Sequence, residues 1–344
     1  MQRLTILALA AGLLISGCAT SAQRARGEEG VLRLGIFPNL THAPGYVALG
    51  EGIFEDVLAP TKIETRVFNS GTDAGNALLG GSIDATYIGP GPATSLFLES
   101  DGKVAVVSGA VSGGASFVVR KGSGIDGPED MPGKRIAVPS FGNTQDIAFR
   151  SWLEENGLKT NDEGGDVIVL EVDNPELPHL FERGDLDGAW EPESYPSLLV
   201  AEGLGEVYID EADLWPEGRF VTTHLLVSAP YMEQHPDVVR KLVEANVQAI
   251  ELMNEDPGTA KAAAQAELII AGAPSLDQAI IDAAWEKLTF TWDPIAASLE
   301  AGADNAFDLG YIDEDPSSIL ELYRLDVLNA ILAERGEEPV EVNA

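Results

Sequence analysis

Val31-Leu32-Arg33-Leu34-Gly35-Ile36-Phe37, followed by Pro38-Asn39-Leu40-Thr41-His42-Ala43-Pro44 and then Tyr46-Val47-Ala48-Leu49-Gly50-Glu51-Gly52, is the stretch that decides the fold. The first part alternates apolar and other residues as a strand does. The second is a small, polar turn, and the third reads as a short helix closed by glycine. The same succession continues along the chain: a strand over 63–68, a helix over 72–79 ended by Gly80-Gly81, a strand over 83–88, a helix opened by Pro92 and running to 99, and a fourth strand over 104–110. Strands alternating with helices in this way are an α/β signature. No repeat period and no low-complexity tract interrupts it.

A second set follows a strand over 116–120. Strands over 134–139, 167–171 and 188–190 alternate with helices over 144–156, 177–183 and 195–202. One more strand falls around 220–227, after which the chain reads as nearly all helix. Val239, Leu242, Val243, Val247, Ile250 and Met253 share one helical face, which is a packing stripe. The layout predicts two α/β lobes, with the chain crossing between them near 111–120 and returning near 220–226.

Composition narrows the function classes. Of 344 residues, 56 are Asp or Glu and 21 are Lys or Arg, giving a formal charge of −35. That field repels phosphate backbones and anionic membrane surfaces, so nucleic acid is excluded as a partner. A single cysteine rules out an internal disulfide framework, and four scattered histidines give no metal-ligand spacing, so no metal and no cofactor is expected. The N-terminus reads as an export signal: Met1-Gln2-Arg3 is positive, residues 4–15 are apolar, and Ser16-Gly17 precede the lone Cys18. This pattern resembles the bacterial lipobox, which implies a signal peptide over 1–17, lipidation of Cys18, and a polar tether over 18–30.

In open α/β sheets ligands sit beyond the C-terminal ends of strands, where loops feed helix N-termini. This sequence places small polar residues there four times: in the 38–44 turn, in Asn69-Ser70-Gly71-Thr72, in Gly89-Pro90-Gly91-Pro92, and in Gly142-Asn143-Thr144-Gln145-Asp146. Glycine lets a ligand approach the backbone, and unpaired amides at a helix start favour an anion. The same residues also serve as helix caps, Ser70 and Asn143 above all. His42 reads either as a ligand contact or as a satisfied structural histidine. Trp190-Glu191-Pro192-Glu193-Ser194-Tyr195 supplies an aromatic wall with an acceptor for a ligand N–H, a buried turn with solvated acids, or an acid/base pair.

These segments carry a family likeness. Phe37 to Pro44, Gly50-Glu51-Gly52-Ile53-Phe54, Phe68-Asn69-Ser70-Gly71, Asp84-Ala85-Thr86-Tyr87-Ile88-Gly89-Pro90, Ser112-Gly113-Gly114-Ala115, the 142–146 turn, Asp187-Gly188-Ala189-Trp190-Glu191-Pro192-Glu193, Asp213-Leu214-Trp215-Pro216 and Phe220-Val221-Thr222-Thr223-His224 occur in order. Together they resemble the solute-binding proteins of ABC importers for nitrate, taurine and aliphatic sulfonates. The resemblance implies a two-lobed type II periplasmic-binding-protein fold with two crossover segments and a helical C-terminal region. Residues 31–112 plus 222–344 would form one lobe and 113–221 the other.

It further implies a monomer that catalyses nothing, anchored by lipid outside the cytoplasmic membrane or in a periplasm, delivering a small ligand to a permease driven by a separate ATPase. An aliphatic sulfonate would set its oxygens on the turns at Asn69, Ser70, Gly71 and Thr72 and at Asn143, Thr144 and Gln145, with Tyr87 and Trp190 flanking its tail. Asn39, His42, Gly89, Pro90, Gly114 and Glu191 complete the implied site. No Arg or Lys falls inside these motifs. Nitrate, a thiamine-precursor-like heterocycle, or an enzyme on the same fold therefore remain alternatives.

Overall fold

The computed structural model describes residues 30–342. The segment expected to be an export signal, Cys18 and the expected tether up to residue 29 lie outside the described residues.

Two sheets carry the architecture. The first holds β1 (Val31–Ile36), β2 (Lys62–Val67), β3 (Ala85–Ile88), β4 (Val104–Gly113), β10 (Val221–Ser228) and β11 (Leu288–Phe290), in the order β11-β4-β10-β3-β1-β2. The second holds β5 (Ala115–Arg120), β6 (Arg135–Val138), β7 (Ile168–Glu171), β8 (Gly188–Pro192) and β9 (Gly205–Asp210), in the order β7-β6-β8-β5-β9. β4 belongs to one sheet and β5 to the other, so the chain crosses at Gly113-Gly114. It returns between β9 and β10. Gly113 and Gly114 take φ of +77° and +74°, a left-handed backbone that side chains resist, and this turns the chain between sheets.

Burial explains the strands. β3 and β4 are buried along their whole length because helices cover both faces, and their apolar runs are continuous rather than alternating. The long helix Pro236–Glu255 buries the stripe expected from its periodicity, Val239 through Met253, against β4 and the helix Ala43–Gly50. Both lobes share one clamp at the start of their central strands. The Asp84 carboxylate accepts from the Arg33 backbone N–H (2.9 Å) and guanidinium, while another Arg33 nitrogen donates to Gly81 O. Asp187 does the same for Arg135, whose guanidinium reaches Gly184 O.

Two strands escape sequence reading. β9, Gly-Glu-Val-Tyr-Ile-Asp, is an edge strand with Glu206 and Val207 exposed, and β11 is three residues long within the otherwise helical C-terminal region.

Candidate ligand-binding site

The loops beyond β1, β3, β6 and β8 meet where the two sheets face each other. They enclose about 540 Å³ of space, partly open to solvent. From the first lobe come Asn39, Thr41, His42, Asn69, Gly71 and Gly89; from the second come Pro139, Asn143, Thr144, Gln145, Asn174 and Pro192; Thr222 lines the cavity from β10. Among these walls stand five side-chain amides, three hydroxyls and one imidazole, with no Lys, Arg, Asp or Glu. Donors here are neutral.

Local sequence builds each wall. Asn143 caps the helix Thr144–Glu155, its Oδ1 accepting from Asp146 N at 2.9 Å, while the amides of Thr144 and Gln145 precede the helical ladder and have no intrahelical acceptor. Ser70 caps the helix Gly71–Leu79 in the same way. Asn39 Oδ1 accepts from Thr41 N and Thr41 Oγ1, which fixes the turn after β1. His42 is buried, its Nδ1 has no partner, and burial lowers its pKa to about 3, so it is neutral at physiological pH. An imidazole held neutral with one open nitrogen is a hydrogen-bonding group, not a charge.

The third turn works differently from the expectation for it. Pro90 and Pro92 have no N–H, and the amide between them, Gly91 N, donates to Thr144 Oγ1 across the cleft at 3.2 Å. That turn joins the lobes instead of offering amides to an anion. Further contacts across the cleft are Asn69 Nδ2 to Asp173 Oδ2 at 3.3 Å, Leu40 N to Glu193 O at 2.8 Å, and Tyr311 OH to Asp146 Oδ2 at 2.5 Å. The lobes are closed on each other.

Of the residues predicted from sequence, Asn39, His42, Asn69, Gly71, Gly89, Asn143, Thr144 and Gln145 share the cavity. Ser70 and Thr72 line a wider opening outside it, with Ser140, Glu171 and Asp173. Gly114 serves the crossover, its carbonyl accepting from Glu193 N. Tyr87 and Trp190 do not form the aromatic walls assigned to them. Tyr87 is buried in the first lobe, where its hydroxyl donates to Asn246 at 2.8 Å, and Trp190 stacks on Phe117 in the second, 5.7 Å between centroids. Strand alternation turns both rings into the cores. Glu191 lies opposite Ser116 on β5, outside the cavity's lining, and is fully buried with both oxygens unpartnered; burial drives its pKa well above the usual carboxylate range.

Thr41, Asn174 and Thr222 were missed. Asn174 follows β7 in an Asp-Asn-Pro turn, so the end-of-strand rule that found the other loops applies to it equally.

A second, smaller cavity adjoins the first at Thr144. Its wall includes Glu211, whose oxygens accept from Trp190 Nε1 at 2.7 Å and Trp215 Nε1 at 3.4 Å, and which burial raises to about 7. With a folded value above the unfolded one, the folded state holds a proton that the unfolded state has lost between about pH 4.5 and 7, so stability falls as pH rises through that window. Glu211→Gln is expected to remove this fall, about 3 kcal/mol in all. Urea midpoints at pH 4.5 and 7.5 check it, and equal slopes for variant and wild type would contradict it.

Comparison with known proteins agrees with the fold. The NMT1-like family model matches residues 25–269, well over half of the chain. This chain belongs to the NMT1-like family. A taurine-binding periplasmic protein of Escherichia coli (strain K12) is 28% identical to this NMT1-like chain over 209 residues, 60% of this chain and 62% of that one. The match thus spans less than two thirds of that relative's length. Among solved structures, the alkanesulfonate-binding protein SsuA of Xanthomonas axonopodis pv. citri, bound to MOPS, superposes with a TM-score of 0.67 at 20% identity, covering 83% of this chain and 93% of that one. The periplasmic nitrate-binding protein NrtA of Synechocystis gives 0.72 at 15% identity, with 89% of each chain covered. The NMT1-like chain shares their periplasmic-binding-protein fold.

Proposed function

We propose that this protein is the extracytoplasmic solute-binding component of an ABC importer, and that it captures a small anion, an aliphatic sulfonate, between its two lobes for delivery to a permease. Neutral amide, hydroxyl and imidazole groups from both lobes converging on one interlobe cavity carry this reading. A sulfonate offers only acceptors, and fixed neutral donors at a helix start serve it without any Lys or Arg. The total charge of −35 does not oppose this, because surface acids are screened over roughly 8 Å at physiological ionic strength while the donors would touch the ligand. The relatives named above bind taurine, alkanesulfonates and nitrate, as their names state.

Lipid anchoring at Cys18, a monomeric state and a lobe division at 112/113 and 221/222 belong to the same proposal; strand membership supports the division. A second reading has one observation in its favour: His42, which lines the cavity with its Nδ1 unpartnered, suits a heterocycle with an N–H group better than it suits nitrate.

Calorimetric titration with alkanesulfonates, taurine, nitrate and a thiamine-type aminopyrimidine tests the proposal. A sulfonate is expected to bind at one site per chain, and Asn143→Leu to weaken it by more than tenfold while costing about 1 kcal/mol of stability as a lost helix cap. Binding of the pyrimidine alone would replace the sulfonate reading, and equal losses of binding and stability would reduce Asn143 to a cap.

A further inference from the structure

We infer that the second cavity is the site for an apolar tail on the captured ligand, so that head and tail occupy separate chambers on either side of the Gly91–Thr144 contact. The inference rests on reading the first cavity as the head-group site, and it replaces Tyr87 and Trp190 as the tail's surroundings.

The second cavity encloses about 410 Å³. Pro90, Ile147, Trp215, Phe220, Val221 and Leu299 supply its apolar wall, from both lobes. Three of its polar side chains are already engaged within the protein. Glu211 accepts from two indoles, Ser298 Oγ accepts from Val221 N at 2.9 Å and donates to Ile295 O, and Thr144 Oγ1 accepts from Gly91 N. The first cavity shows the opposite state, with His42 Nδ1 unpartnered. A chamber walled mainly by apolar side chains favours hydrocarbon over water.

Continuity makes it part of the same site. Thr144 lines both chambers; Gly89 and Thr222 line the first where Gly91 and Val221, their near neighbours in sequence, line the second. A chain leaving a head group at Asn143 and Thr144 enters the second chamber by displacing the single Gly91 N–H to Thr144 hydrogen bond. The ligand class that fits is an anion with a flexible aliphatic tail of several carbons.

Gly302 provides the test. It lies in the helix Ala296–Asp308 on the second chamber's wall, and a Cβ there would meet nothing within 4 Å. Gly302→Phe fills the chamber, whereas Gly302→Ala makes the same backbone change without filling it. Affinities of the full chain for methane-, butane- and hexanesulfonate, and for the matching alkanoates acetate, pentanoate and heptanoate, are measured for wild type and both variants, with melting curves as the check on folding.

Wild type is expected to gain about fourfold per methylene over the first few carbons. Gly302→Phe is expected to bring the hexane-to-methane ratio close to one, and Gly302→Ala to keep it. A flat ratio in wild type, or a ratio that survives Gly302→Phe, overturns the inference. If no sulfonate binds, the sulfonate reading fails by itself and the alkanoate ratio decides the tail chamber; with neither series bound, the tail chamber is overturned too.

Discussion

Gly91→Val is expected to hold the lobes apart and to raise the apparent Kd for the captured ligand about 5- to 150-fold. A Cβ at Gly91 would lie 3.0 Å from Thr144 N, 3.1 Å from Ile147 Cδ1 and 3.2 Å from Asn143 C, and two of these are backbone atoms of the facing lobe that no rotamer change can move. Overpacking of this kind costs about 1–3 kcal/mol. The cost falls on the closed arrangement, since the three nearest heavy atoms that a Cβ at Gly91 would meet all belong to the facing lobe. A closed form made scarcer by that free energy lowers apparent affinity by the same factor. Ligand titration combined with urea unfolding checks it: affinity falls while the unfolding midpoint stays near wild type. Unchanged affinity would mean that ligand binding does not need this contact.

Arg150→Met is expected to cost about 3–5 kcal/mol of stability, the largest loss among the substitutions considered. The Arg150 side chain is 2% exposed and bonds Asp146 Oδ1 at 2.9 Å and Thr160 Oγ1 at 2.7 Å, with Asp162 and Glu163 at the rim. Without it, the fully buried Asp146 keeps Gly142 N and Tyr311 OH but loses its counter-ion. Breaking one side of a buried pair strands the other charge, whereas removing both is far cheaper. Adding Asp146→Asn to Arg150→Met is therefore expected to recover most of the loss. Urea denaturation measures both, and a single-variant loss under about 1 kcal/mol would contradict the burial argument. Because Asp146 also steadies the 142–145 turn and meets Tyr311 of the facing lobe, the single variant should bind ligand less tightly as well.

Much of the cavity was legible because its rule is topological. Strands 31–36, 85–88 and 135–138 end in glycine, asparagine and threonine turns, and in an α/β sheet those turns converge whatever the packing inside. The orientation of Tyr87 and Trp190 was not legible for a complementary reason. β3 and β8 are buried on both faces, so an apolar run gives no alternation from which to tell the cleft side from the core side. Nor does the sequence display the two-chamber arrangement, since the second chamber assembles Pro90, Ile147, Trp215 and Leu299, residues far apart along the chain that only closure brings together. The proline pair flanking Gly91 is plain in the sequence, and two residues without an N–H leave that turn short of the donors an anion needs.

Small-angle X-ray scattering of the wild-type chain, titrated with the sulfonate that binds most tightly in the calorimetric series, tests most directly whether the molecule holds its solute by closing two lobes around it. The account predicts a radius of gyration that falls saturably, with a midpoint matching the calorimetric Kd, and a ligand-bound profile that agrees with the closed arrangement joined through Leu40–Glu193 and Tyr311–Asp146. Profiles that superimpose with and without saturating ligand, while calorimetry still records binding, would contradict it.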